Sequence, residues 1–139
     1  MKSKYTPLVK LKKKELDRIE SALVRANNAF STASTALDDA YDLLSTLTLP
    51  ANGTVSELLQ SQVMIQAQHA EIQRCADAKA QAKAQQLQIQ RQFKASMIEY
   101  EKFKYLEMQE IQAHTAKTKK EEAKMLDEIG VMTHKREPL

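Results

Sequence analysis

The chain has 139 residues, a formal net charge of +3 and an aromatic content of 5%, with 2 Gly, 3 Pro and no Trp. So few turn residues and large side chains exclude a compact mixed core, and the mild charge does not by itself indicate nucleic acid. The abundance of Ala, Glu, Lys, Gln and Leu is typical of long helices or a coiled coil. The single cysteine, Cys75, excludes an intramolecular disulfide. No stretch is apolar enough for a signal peptide or a membrane span, so we expect a cytoplasmic protein.

The first predicted helix covers about residues 6–47. Its apolar residues recur every seven positions, and a second, smaller set lies between them, interrupted by Lys12. This a/d heptad pattern predicts a coiled-coil seam. The first set is Val9, Leu16, Leu23, Phe30, Leu37 and Leu44, and the second is Ile19, Ala26, Ala33, Ala40 and Leu47.

A turn is predicted at about residues 48–53. Pro50 lacks a backbone donor and disfavours helix in the residue before it, while Asn52 and Gly53 adopt positive φ at low cost. Thr54 and Glu57 have the spacing of a capping box, which predicts a second helix from about residue 54. Because the connection is short, the two helices should pack antiparallel as a hairpin.

The second predicted helix runs over about residues 54–129, and we expect Gly130 to end it and residues 130–139 to fray. Leu58, Ile65 and Ile72 continue a heptad, but the later apolar spacing drifts toward eleven residues per three turns, which predicts a loosened supercoil. The drifting positions are Ile89, Phe93, Met97, Tyr100, Lys104, Met108 and Ile111. The fold class is therefore all-α, a single two-helix antiparallel coiled-coil hairpin over residues 1–139 with the second helix longer than the first.

If the chain pairs symmetrically about the turn, the first helix ends opposite about Tyr100, and the second helix has no intramolecular partner beyond that residue. Apolar residues beyond that point should be exposed and available to an interface or to a second copy of the chain. The candidates on the second helix are Phe103, Tyr105, Met108 and Ile111.

Motifs that carry chemistry are absent from the sequence. His69, His114 and His134 have no metal-binding spacing, and the two glycines form no phosphate-binding loop. A helical hairpin offers no concave pocket for catalytic groups, so we expect no catalytic, cofactor or metal site and no enzyme activity. Acidic residues such as Glu99 and Glu101 interrupt the lysines, so nucleic acid is not an expected partner.

Both ends of the chain carry a pattern that resembles one protein family. The opening has Tyr5, then Leu8-Val9-Lys10-Leu11-Lys12-Lys13-Lys14-Glu15, then Ala22-Leu23 and Ala26. The close has Lys119-Lys120-Glu121 and Lys124-Met125-Leu126-Asp127-Glu128, followed by Lys135-Arg136. With a hairpin between them, these ends resemble the FliJ family of flagellar export proteins over essentially the whole chain.

The resemblance implies a cytoplasmic coiled-coil component of the flagellar type III export apparatus, similar to the gamma-subunit stalk of the rotary ATP synthase. Such a stalk inserts in the hexameric export ATPase FliI, promotes its assembly and activity, contacts the gate protein FlhA, and in some cases escorts export chaperones. For the ATPase ring, the resemblance implies Tyr5, Leu8, Leu11, Leu126, Asp127 and Glu128. For the gate, we single out side chains near the turn that a seam would leave partly free, namely Tyr41, Met64 and Gln68.

Two alternatives stay open from the sequence. One is the YscO-like stalk of a virulence injectisome, which the residues do not separate from the flagellar protein. The other is a generic coiled-coil adaptor or a basic nucleic-acid-binding rod. A steep salt dependence of binding to nucleic acid would reveal the rod.

Overall fold

A computed structural model describes residues 3–136, with side chains up to Thr133. Two helices make up this part of the chain, α1 (Thr6–Thr46) and the longer α2 (Val55–Arg136), and they pack against each other. The predicted all-α fold of two helices with a longer second helix is confirmed. Met1, Lys2 and the C-terminal residues 137–139, including Pro138, lie outside the described residues.

The start of α1 is fixed by Ser3, which is buried. Its hydroxyl oxygen accepts a hydrogen bond of 3.1 Å from the backbone N–H of Tyr5, and its carbonyl accepts one from Thr6. The first N–H groups of a helix have no partner within the helix, so Ser3 satisfies that of Thr6, the first residue of α1, and that of Tyr5 just before it.

The turn between the helices depends on Gly53 and Thr54. Gly53 has a φ of 156°, and a Cβ placed there would collide with the Glu57 carboxylate. Thr54 caps α2, because its Oγ1 accepts a hydrogen bond of 3.2 Å from the N–H of Glu57. The sequence predicted both features, although Asn52 does not adopt positive φ.

The helices divide into two compact units. Unit 1 combines the described residues up to Leu16 with those from Ser96 onward, and unit 2 is Asp17–Ala95. Both units are built from the same two helices, and the assignment of residues 1–139 to one domain stays a prediction.

In unit 2, antiparallel pairing is marked by two hydrogen bonds between the helices. Gln68 Nε2 donates to the carbonyl of Ala40 at 2.8 Å, close to the turn. Gln86 Nε2 donates to Asn27 Oδ1 at 2.7 Å, farther from it. The core of this unit is Ala40, Ile72 and Cys75, with Leu37 and Leu44 packed against it.

In unit 1, the start of α1 packs beside the second half of α2. The rings of Tyr5 and Phe103 lie 6.5 Å apart, and the N–H of Lys4 donates to Glu110 Oε1 at 3.3 Å. Pairing therefore reaches Glu110, ten residues beyond the predicted limit at Tyr100. The prediction was too short because it assumed that the residues pair symmetrically about the turn, whereas Lys4, which precedes α1, contacts α2 as far along as Glu110.

The packed face of α2 is a set of buried and half-buried residues that alternate by three and four positions from Ile65 to Glu110. The predicted drift is therefore wrong for the packed face, since Met97, Lys104 and Met108 are exposed. Polar side chains occupy several seam positions, and this concealed the period in the sequence. The seam positions are Ile65, Gln68, Ile72, Cys75, Lys79, Ala82, Gln86, Ile89, Phe93, Ser96, Tyr100, Phe103, Glu107 and Glu110.

The end of α2 also corrects a prediction, because Gly130 lies within the helix and α2 continues to Arg136. A glycine ends a helix by adopting positive φ, which Gly130 does not do. A glycine inside an exposed helix costs only about 1 kcal/mol relative to alanine, which is too little by itself to end the helix.

Candidate interaction surfaces

Lysine side chains cover the aromatic rings of the seam. Lys12 Nζ lies 5.7 Å from the centre of the Phe103 ring, and Lys13 Nζ lies 5.5 Å from that of Tyr100. Phe30 in unit 2 has two such neighbours, Lys79 at 5.9 Å and Lys83 at 5.1 Å. Each contact is worth about 0.5–1 kcal/mol at an exposed site. These lysines are thus part of the packing, and the interruption at Lys12 has a structural reason.

The residues proposed for the ATPase ring all belong to unit 1, but they do not form one cluster. Tyr5 is half-buried against Phe103, while Leu8 and Leu11 are exposed beside it on α1. Leu126 follows Phe103 by 23 positions on a continuous helix, which corresponds to roughly 34 Å. Asp127 and Glu128 line a shallow groove on α2 together with Val131 and Met132.

Residues 112–133 of α2, which we call the far segment, extend past the last seam position. Every residue in it except Thr118 is exposed, and Leu126 retains 68% of its accessible surface. No α1 residue lies opposite the far segment in the described part of the chain, since cross-helix contacts reach only Glu110.

The apolar residues of the far segment do not continue the face that packs on α1. Extending the seam by threes and fours from Glu110 gives charged positions at Lys117, Lys124 and Glu128. Met125, Ile129 and Met132 lie one position later, which corresponds to a rotation of about 100° around the helix, whereas Val131 lies on the extension of the seam. We call the face at these positions the Met stripe, which consists of Met108, Ile111, Met125, Ile129 and Met132 with the polar residues Thr115, Thr118 and Glu122 between them.

Four residues of the second helix were predicted to be exposed, and two of them are. Tyr105 and Met108 are exposed, with 59% and 51% of their surface accessible. Phe103 and Ile111 are half-buried instead, and Phe103 belongs to the seam. Exposure was predicted wrongly for these two because the pairing with α1 extends farther than the sequence indicated.

The three residues proposed for the gate differ in accessibility. Tyr41 and Met64 are exposed, but Gln68 is buried in the seam and its amide is engaged by Ala40. Gln68 is therefore not a free side chain, and the expectation that it is partly free is wrong. A heptad assignment that admits polar seam residues places it correctly, three residues after Ile65.

An ion pair in unit 2 joins Glu71 and Arg74, one turn apart on α2. Arg74 Nε donates to Glu71 Oε2 at 2.9 Å, and this hydrogen bond holds the pKa of the Glu71 carboxyl below its ordinary value. The same pair raises the pKa of Arg74. Both side chains are solvent-exposed, so the pair is a surface feature.

Among the side chains that the structure describes, those of residues 3–133, no group of three or more His, Cys, Asp or Glu is placed to hold a metal ion. Neither described helix has a stretch that is long and apolar enough to cross a membrane.

Comparison with protein families matches residues 1–139 to the family described as "Flagellar FliJ protein". The chain belongs to the FliJ family. No curated protein matches it, and no solved structure matches it.

Membership of the FliJ family makes this chain a coiled-coil protein of flagellar type III export, a family of export components rather than of enzymes. The family match thereby confirms the resemblance that the two ends of the sequence indicated. Analysis of the sequence missed the rotation of the Met stripe and an apolar surface beside the turn that includes Leu59 and Val63. A heptad assignment of α2 would have placed both off the seam.

Proposed function

We propose that this FliJ-family chain acts in the cytoplasm as the stalk of a flagellar export ATPase. Its ends insert in the hexameric ring, promote ring assembly and activity, and the turn end contacts the export gate. It has no catalytic role of its own, and it also escorts export chaperones. The whole-length family match carries the proposal, and it favours flagellar export over an injectisome.

The Met stripe supports the contact with the ATPase. Met125, Ile129 and Met132 are all more than half exposed, and exposed apolar residues in such density mark interaction sites. Methionine is flexible and polarizable, so a stripe rich in it adapts to surfaces that differ in shape.

The segment at the start of α1 supports the same contact. Residues up to Leu16 include Lys4, Lys10, Lys12, Lys13 and Lys14 with one acid, Glu15. Leu8 and Leu11 are exposed among these lysines. In this proposal Tyr5, Leu8 and Leu11, with Leu126, Asp127 and Glu128, meet the ring.

At the turn end, Tyr41 and Met64 are the proposed gate contacts. Gln68 supports them from within the seam, because its hydrogen bond to Ala40 fixes how the helices pack at that level. Removal of Gln68 should therefore act on gate binding through the packing of the helices.

Truncation tests the proposal. The ATPase rate of the cognate hexamer is measured with the full chain and with a chain that ends at Ile111, which keeps every seam position through Glu110. We expect the full chain to raise the rate and the truncated chain to lose most of the effect. An equal rise with both chains would reject the ring contact at the far segment.

A further inference from the structure

Charge is distributed unevenly along unit 2. Residues 26–73, which surround the turn, contain five acidic residues and no Lys or Arg. The acids are Asp38, Asp39, Asp42, Glu57 and Glu71. Arg74 neutralises only Glu71, at the edge of this region.

An exposed apolar surface lies within the same region. Leu43, Leu59, Val63 and Met64 have 52%, 55%, 64% and 57% of their surface accessible, and we call these four residues the turn face. Leu59, Val63 and Met64 line a shallow groove on α2 with Ser56 and Gln60.

The heptad places Leu43 on the same edge of the seam as Met64, which lines one side of the groove. Leu43 precedes the seam residue Leu44, and Met64 precedes the seam residue Ile65, so both occupy g positions. In an antiparallel pair, the g positions of the two helices line the same edge of the seam. Asp39, one turn before Leu43, and Glu57, two turns before Met64, occupy this side as well.

We infer that the turn face binds a basic amphipathic helix of a partner protein, with apolar anchors in the groove of Leu59, Val63 and Met64 and Lys or Arg beside Asp39 and Glu57. Charge complementarity selects this occupant, since a region without a cation favours a cationic partner and repels an acidic one. A second copy of the same face would bring acid against acid. An anionic lipid surface is disfavoured for the same reason.

This inference deepens the gate contact in the proposed function and rests on it for the biological partner. Its chemistry is tested with the full chain and a labelled synthetic helix of about 18 residues made of Leu and Lys in a heptad pattern. A helix with Glu in place of Lys is the matched probe. Fluorescence anisotropy at low and high salt measures binding.

We expect the Lys helix to bind and the Glu helix to fail. V63S should weaken binding by about tenfold through lost apolar contact, whereas V24S should not. Val24 has a similar exposure, 54%, but lies on α1 beside Arg25. D39N should weaken binding about twofold at low salt, and E20Q, an acid outside the region, should leave it unchanged.

Equal binding of both helices, or equal loss in V63S and V24S, would overturn the inference. A concentration-dependent dimer that V63S abolishes, with no helix binding, would overturn it in favour of a second copy. Capture of the gate protein is measured separately. Helix binding without gate capture supports the inference and rejects the gate contact, whereas gate capture without helix binding overturns the inference alone.

Discussion

The side-chain amide of Gln68 donates a hydrogen bond of 2.8 Å to the backbone carbonyl of Ala40 on the facing helix. Gln68 retains 8% of its surface and Ala40 retains 7%, so the bond is shielded from water. A buried polar group in a seam specifies one alignment of the helices, because other alignments leave it without a partner. The side chain of Gln68 therefore helps to fix the register in which the two helices pack in unit 2.

Q68E tests this bond. A carboxylate in place of the amide meets the Ala40 carbonyl oxygen, and we expect the free energy of unfolding at neutral pH to fall by about 2 kcal/mol. Burial raises the pKa of the new carboxyl in the folded state, so the lost stability should return as the pH falls through that pKa and the protonated group donates again.

Urea denaturation followed by circular dichroism at neutral and acidic pH measures the effect of Q68E. The control is Q60E, which places the same charge at an exposed position of α2. A loss of stability in Q68E that persists at acidic pH would argue against the role of the bond.

The two glycines should respond oppositely to alanine. G53A introduces a Cβ that collides with Glu57 at a φ unfavourable to side chains, and we expect a loss of about 1–2 kcal/mol in stability. At Gly130 nothing lies within 4 Å of an added Cβ, so G130A should strengthen the end of α2. Amide hydrogen exchange in residues 126–133 should slow about two- to fivefold. Faster exchange in G130A would indicate that the helix does not continue through this position.

Phe103 should matter more than its exposed neighbour Tyr105. F103A removes a ring that contacts Tyr5 and Lys12, and we expect a loss of about 2 kcal/mol in the stability of unit 1. Y105A removes a side chain that accepts only a local hydrogen bond from Gln109. Hydrogen exchange of α1 residues 7–13 reports the difference, and equal protection in both variants would contradict the pairing described for unit 1.

How far the sequence predicts this fold depends on the side chains in the seam. The heptads of α1 are apolar from Val9 to Leu47 except at Lys12, so their period is evident from the residue types alone. In α2, positions such as Gln68, Lys79 and Ser96 are polar yet lie in the seam. A prediction from the spacing of apolar residues does not detect polar residues in the seam. After Phe93 it therefore continued to Met97, which lies on the neighbouring face of α2.

The interaction surfaces were harder to predict than the fold, for a related reason. Exposure of Phe103 depends on how far α1 reaches, and the contact of Lys4 with Glu110 extends that reach through a polar cap. Capping hydrogen bonds across helices leave no periodic signal. The acidic region around the turn, by contrast, is evident from composition once the turn at Gly53 is placed.

The Glu71–Arg74 pair gives a prediction about pH. The Arg74 hydrogen bond lowers the pKa of Glu71, so the stabilisation by this pair is present above the ordinary pKa of 4.5 and is lost as the pH falls through the folded-state pKa. R74Q should raise the pKa of Glu71 toward its ordinary value, as measured by NMR titration of the carboxyl carbon. R91Q is the control, because Arg91 is exposed elsewhere on α2. An unchanged Glu71 pKa in R74Q would assign the shift to another cause.

The central claim is that the apolar side chains of the Met stripe contribute more to the contact with the ATPase than the apolar side chain on the extension of the seam, Val131, does. Ile129 and Val131 allow a direct comparison, since they have 55% and 54% of their surface accessible and lie on different faces of α2. The most direct measurement is the concentration of each full-length variant that gives half-maximal stimulation of the cognate export ATPase. The account predicts that I129S raises this concentration about tenfold and that V131S leaves it near the value of the unsubstituted chain. Equal effects of the two substitutions, or a larger effect of V131S, would contradict it.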